Sequence, residues 1–293
     1  MSLRSWLFVP GDSEKKLSKG ADTGADVLIL DLEDSVADAR KPVGREMTCA
    51  YLQASARLNQ QLWVRINPLD TPHALRDLAG VIQGKPDGLI LPKAESVEDS
   101  YKLGHYLDAL ETEHGIELGH TKVLALVTET PGALLTLEGY RRPDPRVTAI
   151  SWGAEDLSAA LGASSNRNEH GELTDPYLLA RSLCLLTAHA AGVQPVDTVL
   201  PDFRDDEGLR KVSNDARRDG YTGKIAIHPN QVAIINEAFT PSDEEVAHAK
   251  AVVKLFEENP DAGTLSLDGK MLDKPHLTQA QRVIATAERL HGR

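Results

Sequence analysis

The sequence predicts an α/β fold, a closed (β/α)8 TIM barrel with a C-terminal helical lid extension. Three observations carry that expectation. Eight short apolar runs recur with little polar alternation, the pattern of parallel strands buried on both faces. A stretch long enough for a helix follows each run, which suits a barrel better than an open sheet. The turn after the first run, Pro10-Gly11-Asp12, is not the Gly-x-Gly-x-x-Gly turn of a doubly wound dinucleotide-binding sheet.

The apolar runs lie at residues 5–9, 27–32, 62–66, 88–91, 123–128, 147–152, 197–200 and 224–227. The helical stretches between and after them lie at 13–24, 41–59, 75–84, 96–115, 132–140, 175–192, 207–220 and 231–238, with Gly24, Gly84 and Gly220 as expected helix stops. The pattern changes near residue 240. Pro241-Ser242-Asp243-Glu244-Glu245 reads as a helix start with acids in its first turn, leading to a helix that reaches about Glu258. A break at 259–263, an irregular segment at 264–275 and a last helix at about 278–291 complete the chain. The expected organisation is a catalytic barrel over 1–240 and a helical extension over 241–293. The 293 residues accommodate one barrel of about 250 residues and an appendage.

Composition narrows the function. Aromatic residues are 4%, so the core must rest on Leu, Val, Ile and Ala. The formal net charge of -12 argues against a broad nucleic-acid-binding surface while leaving room for a local cationic cavity that takes an anionic ligand. The two cysteines, Cys49 and Cys184, form no Cys-x-x-Cys pair and read as small core residues of a protein in a reducing cytoplasm. Residues 1–6 lack the apolar stretch of a signal peptide, and no apolar run approaches a membrane span, so no membrane partner is expected.

The ends of the apolar runs carry the chemistry. In such a barrel the active site lies at the C-terminal ends of the strands. Here those ends read Asp31-Leu32-Glu33-Asp34, Arg65-Ile66-Asn67, Pro92-Lys93, Thr128-Glu129-Thr130 and Gly153-Ala154-Glu155-Asp156, with Asp202 and His228-Pro229 after the last two runs. Any one of these groups reads as a solvated rim residue or a helix cap. Several carboxylates and an arginine converging on one mouth read as a site. Carboxylates without a Cys/His cluster favour a hard cation such as magnesium, with manganese as a substitute. Glu129 and Asp156 end adjacent runs, which lets them meet across one ion. Lys93 offers a rival chemistry, an imine-forming amine, but the surrounding acids would hold it protonated. Trp152 reads as packing and His228 as a structural histidine. Asp31, Glu33 and Asp34 read as groups that orient waters or Arg65.

These segments resemble the citrate lyase β-subunit and malyl-CoA lyase family, the HpcH/HpaI aldolase-like coenzyme A ester lyases. The resemblance runs from Arg4-Ser5-Trp6-Leu7-Phe8-Val9-Pro10-Gly11 through Asp31-Leu32-Glu33-Asp34-Ser35-Val36, Val64-Arg65-Ile66-Asn67, Leu91-Pro92-Lys93 and Glu129-Thr130-Pro131-Gly132. It continues in Gly153-Ala154-Glu155-Asp156-Leu157, Ala226-Ile227-His228-Pro229-Asn230-Gln231 and the tail segment Gly269-Lys270-Met271-Leu272-Asp273-Lys274-Pro275. The resemblance implies a barrel of the phosphoenolpyruvate/pyruvate type that binds Mg2+ through Glu129 and Asp156. It implies that Arg65 holds a 2-keto acid and stabilises negative oxygen, and that Asp273, carried on a lid, acts as acid/base. It further implies a homotrimer or hexamer and a coenzyme A thioester as substrate, with Lys16 and Lys41 as candidate coenzyme A contacts. The implied reaction joins or cleaves a short hydroxyacyl thioester, such as citramalyl-CoA or malyl-CoA, to acetyl-CoA and the keto acid. A citryl-carrier-protein lyase, a malyl-CoA thioesterase and a non-enzymatic acyl-CoA-binding barrel are the alternatives.

Overall fold

The computed structural model describes residues 3–57 and 60–291. Eight parallel strands form a closed barrel: β1 (Ser5–Pro10), β2 (Val27–Asp31), β3 (Gln61–Arg65), β4 (Gly88–Leu91), β5 (Lys122–Leu126), β6 (Val147–Ser151), β7 (Gln194–Asp197) and β8 (Gly223–Ala226). Closure is made by β1 pairing with β8, with Trp6 opposite Ile225. The helices that return the chain are α1 (Glu14–Gly20), α2 (Lys41–Ala54), α3 (Ala74–Val81), α4 (Val97–Glu113), α5 (Pro131–Thr136), α6 (Ala154–Leu161), α7 (Asp175–Ala191), α8 (Asp206–Asp219) and α9 (Asn230–Ala238). The tail adds α10 (Asp243–Glu258), a hairpin of β9 (Thr264–Leu267) and β10 (Lys270–Asp273), and α11 (Lys274–His291). No helix among the described residues is long and apolar enough to cross a membrane.

The strands are buried on both faces because two cores meet at them. Trp6, Val27, Ile29, Trp63, Ile90, Leu124, Leu126, Ala149, Val196 and Ile225 fill the barrel interior. Leu7, Val9, Leu28, Leu30, Val64, Leu89, Val123 and Ile150 face the helices. Successive strand residues point to opposite faces, so the inward set Val27 and Ile29 continues to Asp31, and Trp63 continues to Arg65. An apolar plug, with Trp6 and Trp63 edge to face at 4.9 Å between centroids, therefore underlies an ion pair at the C-terminal end.

Several expected boundaries shift. The seventh strand begins and ends three residues earlier than the run at 197–200. A helix at Ala154–Leu161, absent from the expected set, intervenes after β6. The helix expected at 41–59 ends at Ala54, and residues 58–59 of that range, like residues 1–2, lie outside the described set. Gly24 and Gly220 stop their helical segments in the left-handed conformation, but at Gly84 the left-handed residue is the next one, Lys85. The irregular segment expected at 264–275 contains the β9–β10 hairpin.

The tail has its own apolar cluster of Ala249, Val252, Phe256, Leu272 and Ala280, separate from the two barrel cores. Its first helix opens with a full capping box, Ser242 and Glu245 each accepting from the other's backbone N–H.

Candidate active site

The loop after β2 is built around one arginine. Asp31 accepts from Arg65 Nε at 2.6 Å and from Nη2 at 2.8 Å, the paired geometry a guanidinium makes with a carboxylate. The same Asp31 oxygens accept the backbone N–H groups of Glu33 and Ser35, which curls the loop. Burial pushes the Asp31 carboxyl up, but Arg65 and these hydrogen bonds outweigh it and hold it below the usual range. Arg65 also lies over the Phe8 ring, 4.4 Å from its centroid.

Glu33 is buried and less well served. Its Oε2 lies 2.8 Å from Arg65 Nη1, an ion contact too poorly aligned to count as a hydrogen bond. Its Oε1 meets Lys93 Nζ at 2.5 Å. Burial raises its carboxyl despite both cations. Asp34 is exposed, 3.7 Å from both Arg65 Nη1 and Lys93 Nζ.

Glu129 and Asp156 come together as the adjacent strand ends require. Glu129 follows β5 and is 4% exposed. Asp156 sits in the first turn of α6, after β6. Gly153 makes room for the pair: a Cβ there would meet Glu129 Cγ at 2.7 Å. Burial first, and then the charge of Asp156, push the Glu129 carboxyl up to about 8. It accepts the backbone N–H of Lys93 at 2.6 Å, while Lys93 Nζ lies 3.1 Å from Asp156. Lys93 is thus the link between the two acid groups, held at a positive φ of 48° that few side-chain-bearing residues adopt. Burial lowers its amine, but Glu33, Asp156 and Glu129 more than reverse that and hold it protonated, so an imine-forming role is not supported.

This donor set fits a hard divalent cation. Two carboxylates lie at neighbouring strand ends, and one is raised by burial and by the charge of the other, beyond what Lys93 offsets. Among the described residues no three His, Cys, Asp or Glu side chains gather as a metal cluster. Two protein carboxylates, with the remaining positions left to water and substrate oxygens, suit magnesium better than zinc.

A single cavity of about 1030 Å3 joins these groups to a groove. Asp31, Asp34, Arg65, Glu129, Asp156 and Lys16 all line it. Lys19, Thr23, Thr198 and the segment from Ile227 to Asn230 line it too, among them His228, which the sequence suggested as a structural histidine. His228 is half-buried and stacks on Phe203 at 4.7 Å between centroids. Lys16 and Lys19 lie on the exposed face of α1, three residues apart, a helical spacing that could have flagged the second lysine.

Two expected site residues lie elsewhere. Lys41, expected to reach coenzyme A, is 7% exposed, and its ammonium turns away from the cavity toward Leu32 O, Glu33 O and Asn67 Oδ1. Asp273 ends β10 in the tail, pairs with His276 Nδ1 and does not line the cavity of its own chain.

Relatives share this architecture across nearly the whole chain. A rat protein named citramalyl-CoA lyase, mitochondrial, is 34% identical over 299 residues, covering 97% of this chain and 86% of the relative. A Mycobacterium tuberculosis citrate lyase subunit beta-like protein is 36% identical, with 98% of each chain covered. The crystal structure of the M. tuberculosis protein CitE in complex with magnesium, acetoacetate and coenzyme A superimposes with a TM-score of 0.81 at 34% identity, covering 98% of both chains. The model of the HpcH/HpaI aldolase/citrate lyase family matches residues 4–229, from the first strand to the end of the cavity-lining loop after β8, and the chain belongs to that family.

Proposed function

We propose that this protein is a Mg2+-dependent carbon–carbon lyase acting on a short hydroxyacyl thioester of coenzyme A, with acetyl-CoA and a 2-keto acid as products. The observation that carries the reading is one cavity holding a carboxylate pair suited to a divalent cation, a guanidinium beside it, and two lysines along its groove. Magnesium and coenzyme A are bound together in the M. tuberculosis relative, which supports the same pairing here.

Glu129 and Asp156 hold the ion, which supplies an electrophile for the oxygen that becomes the keto group. Arg65 is fixed on one side by Asp31 and Glu33 and turns its fork toward the keto-acid carboxylate or the thioester enolate. Lys16 and Lys19 accompany the phosphates of the coenzyme along the groove. Lys93 stays protonated and balances the acids before the ion binds. Cleavage needs a base for the hydroxyl proton and leaves an enolate that must take a proton at carbon; Asp273 is the candidate for both, accepting the first proton and returning it to the carbon. Because Asp273 lies away from its own mouth, we assign it to the mouth of a neighbouring subunit in a homotrimer or hexamer. The tail then acts as a lid that excludes water from the enolate. Two free cysteines suit a reducing cytoplasm as the working compartment.

The test is product analysis by mass spectrometry with citramalyl-, malyl- and citryl-CoA, with magnesium or with EDTA. The reading expects acetyl-CoA plus pyruvate, glyoxylate or oxaloacetate, and none after chelation. Free coenzyme A as the product would indicate a thioesterase. Turnover of only carrier-protein-linked citrate would indicate a citrate lyase subunit. Binding without turnover in every arm would reduce the protein to an acyl-CoA-binding barrel.

A further inference from the structure

Behind the mouth, on the helix side of β2 and β3, lies a chain of buried polar groups that does not line the cavity. Lys41 of α2 donates to Leu32 O at 3.0 Å, Glu33 O at 3.1 Å and Asn67 Oδ1 at 2.7 Å. Asn67 Nδ2 donates to the same Leu32 carbonyl at 2.9 Å and to Asp77 Oδ2 at 2.6 Å. Asp77 is in turn held by Arg45 Nε at 2.7 Å. Each ammonium donor of Lys41 therefore has an acceptor, and none of the three is a carboxylate.

That arrangement is a costly way to gain stability. A buried ammonium facing only neutral oxygens gives up hydration without the compensation of an ion pair. What it does achieve is direction. Two consecutive carbonyls, 32 and 33, are pulled to the helix side, which throws the Glu33 side chain to the mouth side, against Arg65 and Lys93. Asn67 locks the end of β3, two residues beyond Arg65, to the same point.

We infer that Lys41 is a positioning residue for catalysis: its ammonium sets the Leu32–Glu33 backbone and so aims Glu33 at Arg65 and Lys93. The kinetic part of this inference rests on the lyase reading above; the structural part does not. Both are tested with Lys41→Met, Lys41→Arg and Glu33→Gln.

Amide hydrogen exchange of the protein without substrate reads the loop directly. Exchange at Glu33 to Ser35 is expected to speed up about tenfold in Lys41→Met, with strand amides unchanged, because the loop loses its tether while the barrel stays closed. In turnover assays the same variant is expected to lose about 10–100-fold in kcat, as supporting residues behind a metal site do, with little change in the KM for the thioester. Lys41→Arg should recover part of both losses. The Lys41→Met and Glu33→Gln effects on kcat should not multiply, because one acts through the other.

A raised KM with kcat retained would return Lys41 to coenzyme A binding and overturn the inference. Multiplying effects, unchanged loop exchange, or failure of every Lys41 variant to fold would overturn it as well. A wild type that turns over no thioester would sink the lyase reading alone, since the exchange measurement still decides the role of Lys41.

Discussion

Glu129 and Asp197 are both buried carboxylates at the C-terminal side of barrel strands, and their acidities move in opposite directions. Burial drives both up. At Glu129 the charge of Asp156 adds to burial, Lys93 offsets only part of it, and the group ends at about 8. At Asp197, Lys224 Nζ at 2.9 Å and Arg181 Nε at 3.5 Å outweigh burial and hold the carboxyl below its usual range. Trp152 Nε1 completes the second cluster with a hydrogen bond of 2.8 Å to Asp197. One cluster is electrically finished within the chain; in the other, the single ammonium of Lys93 is shared among Glu33, Glu129 and Asp156. A protein keeps a buried carboxylate in that state where something else supplies the charge. The difference separates a site from a support although both look alike as residue types.

The sharpest way to break the comparison is to neutralise each carboxylate. Glu129→Gln or Asp156→Asn should abolish metal-dependent turnover, a loss on the order of 10^3-fold or more given the several kcal/mol a metal electrophile supplies. In Glu129→Gln the fold should keep or gain thermal stability, since a buried carboxylate raised by its surroundings has been removed. A variant with full activity after exhaustive chelation, or with a melting temperature that collapses, would sink the assignment of that pair to a metal.

Asp197→Asn should do the reverse. It leaves Lys224 buried without its partner, and the expected loss in urea unfolding is about 3–5 kcal/mol. The pH dependence has a definite sign. A carboxyl depressed in the folded state adds stability that is complete above its unfolded value near pH 4 and disappears as pH falls through the lower folded value. The stability gap between wild type and Asp197→Asn should therefore narrow as pH drops below about 4. A gap that widens there would mean that Lys224 and Arg181 do not stabilise the charged form.

Arg65 lies between the two cases, paired like Asp197 yet open to the cavity. Arg65→Lys keeps the charge but cannot bridge both Asp31 oxygens and Glu33 together. A fall in kcat of about 10^2-fold is expected, the scale of one lost oxyanion donor, with the fold retained. A near-wild-type rate would remove Arg65 from the chemistry.

The features legible in the sequence were those set by short-range pattern. Of the seven polar strand ends singled out there, five supply residues that line the cavity, and Lys93, from a sixth, bonds both Glu33 and Glu129, because strand period and barrel topology dictate where a strand end must point; Asp202, after the seventh run, lies outside the cavity lining. The seventh strand lies three residues earlier than the apolar run at 197–200 because it takes in Pro195, which has no N–H to donate but is in register with Ile150 and accepts the Thr222 N–H through its carbonyl. The β9–β10 hairpin was missed although its signal is present: Asp268 and Gly269 both take positive φ, at 49° and 75°, the two-residue turn that Asp-Gly favours between apolar alternations. Lys41 was expected to reach coenzyme A, but its head is buried against Leu32 O, Glu33 O and Asn67 Oδ1, contacts outside its own helix that leave no mark on the local pattern. The Asp197–Lys224 and Glu111–Arg146 pairs join residues 27 and 35 positions apart, a distance no local spacing reports.

The smallest effect expected is a partial recovery, and it tests whether the tail serves its own barrel. Asp273 sits on a unit with a separate apolar core, and its carboxylate is engaged by His276 rather than by any mouth residue. If a neighbour's mouth receives it, each working site needs Glu129 from one subunit and Asp273 from another. Asp273→Asn should retain magnesium and keto-acid binding while losing proton exchange at the acetyl methyl of acetyl-CoA. Mixing Asp273→Asn with Glu129→Gln subunits, each inactive alone, should then restore activity once subunits have exchanged. With equal amounts and random assembly in a closed ring, about a quarter of the mouths inherit both intact groups, so recovery near a quarter of the wild-type rate is the expected ceiling. If the tail instead folds over its own mouth, every subunit carries one lesion that no partner can repair, and the mixture stays inactive despite proven exchange. Methyl deuteration by Asp273→Asn alone at the wild-type rate would take the residue out of the chemistry in either arrangement.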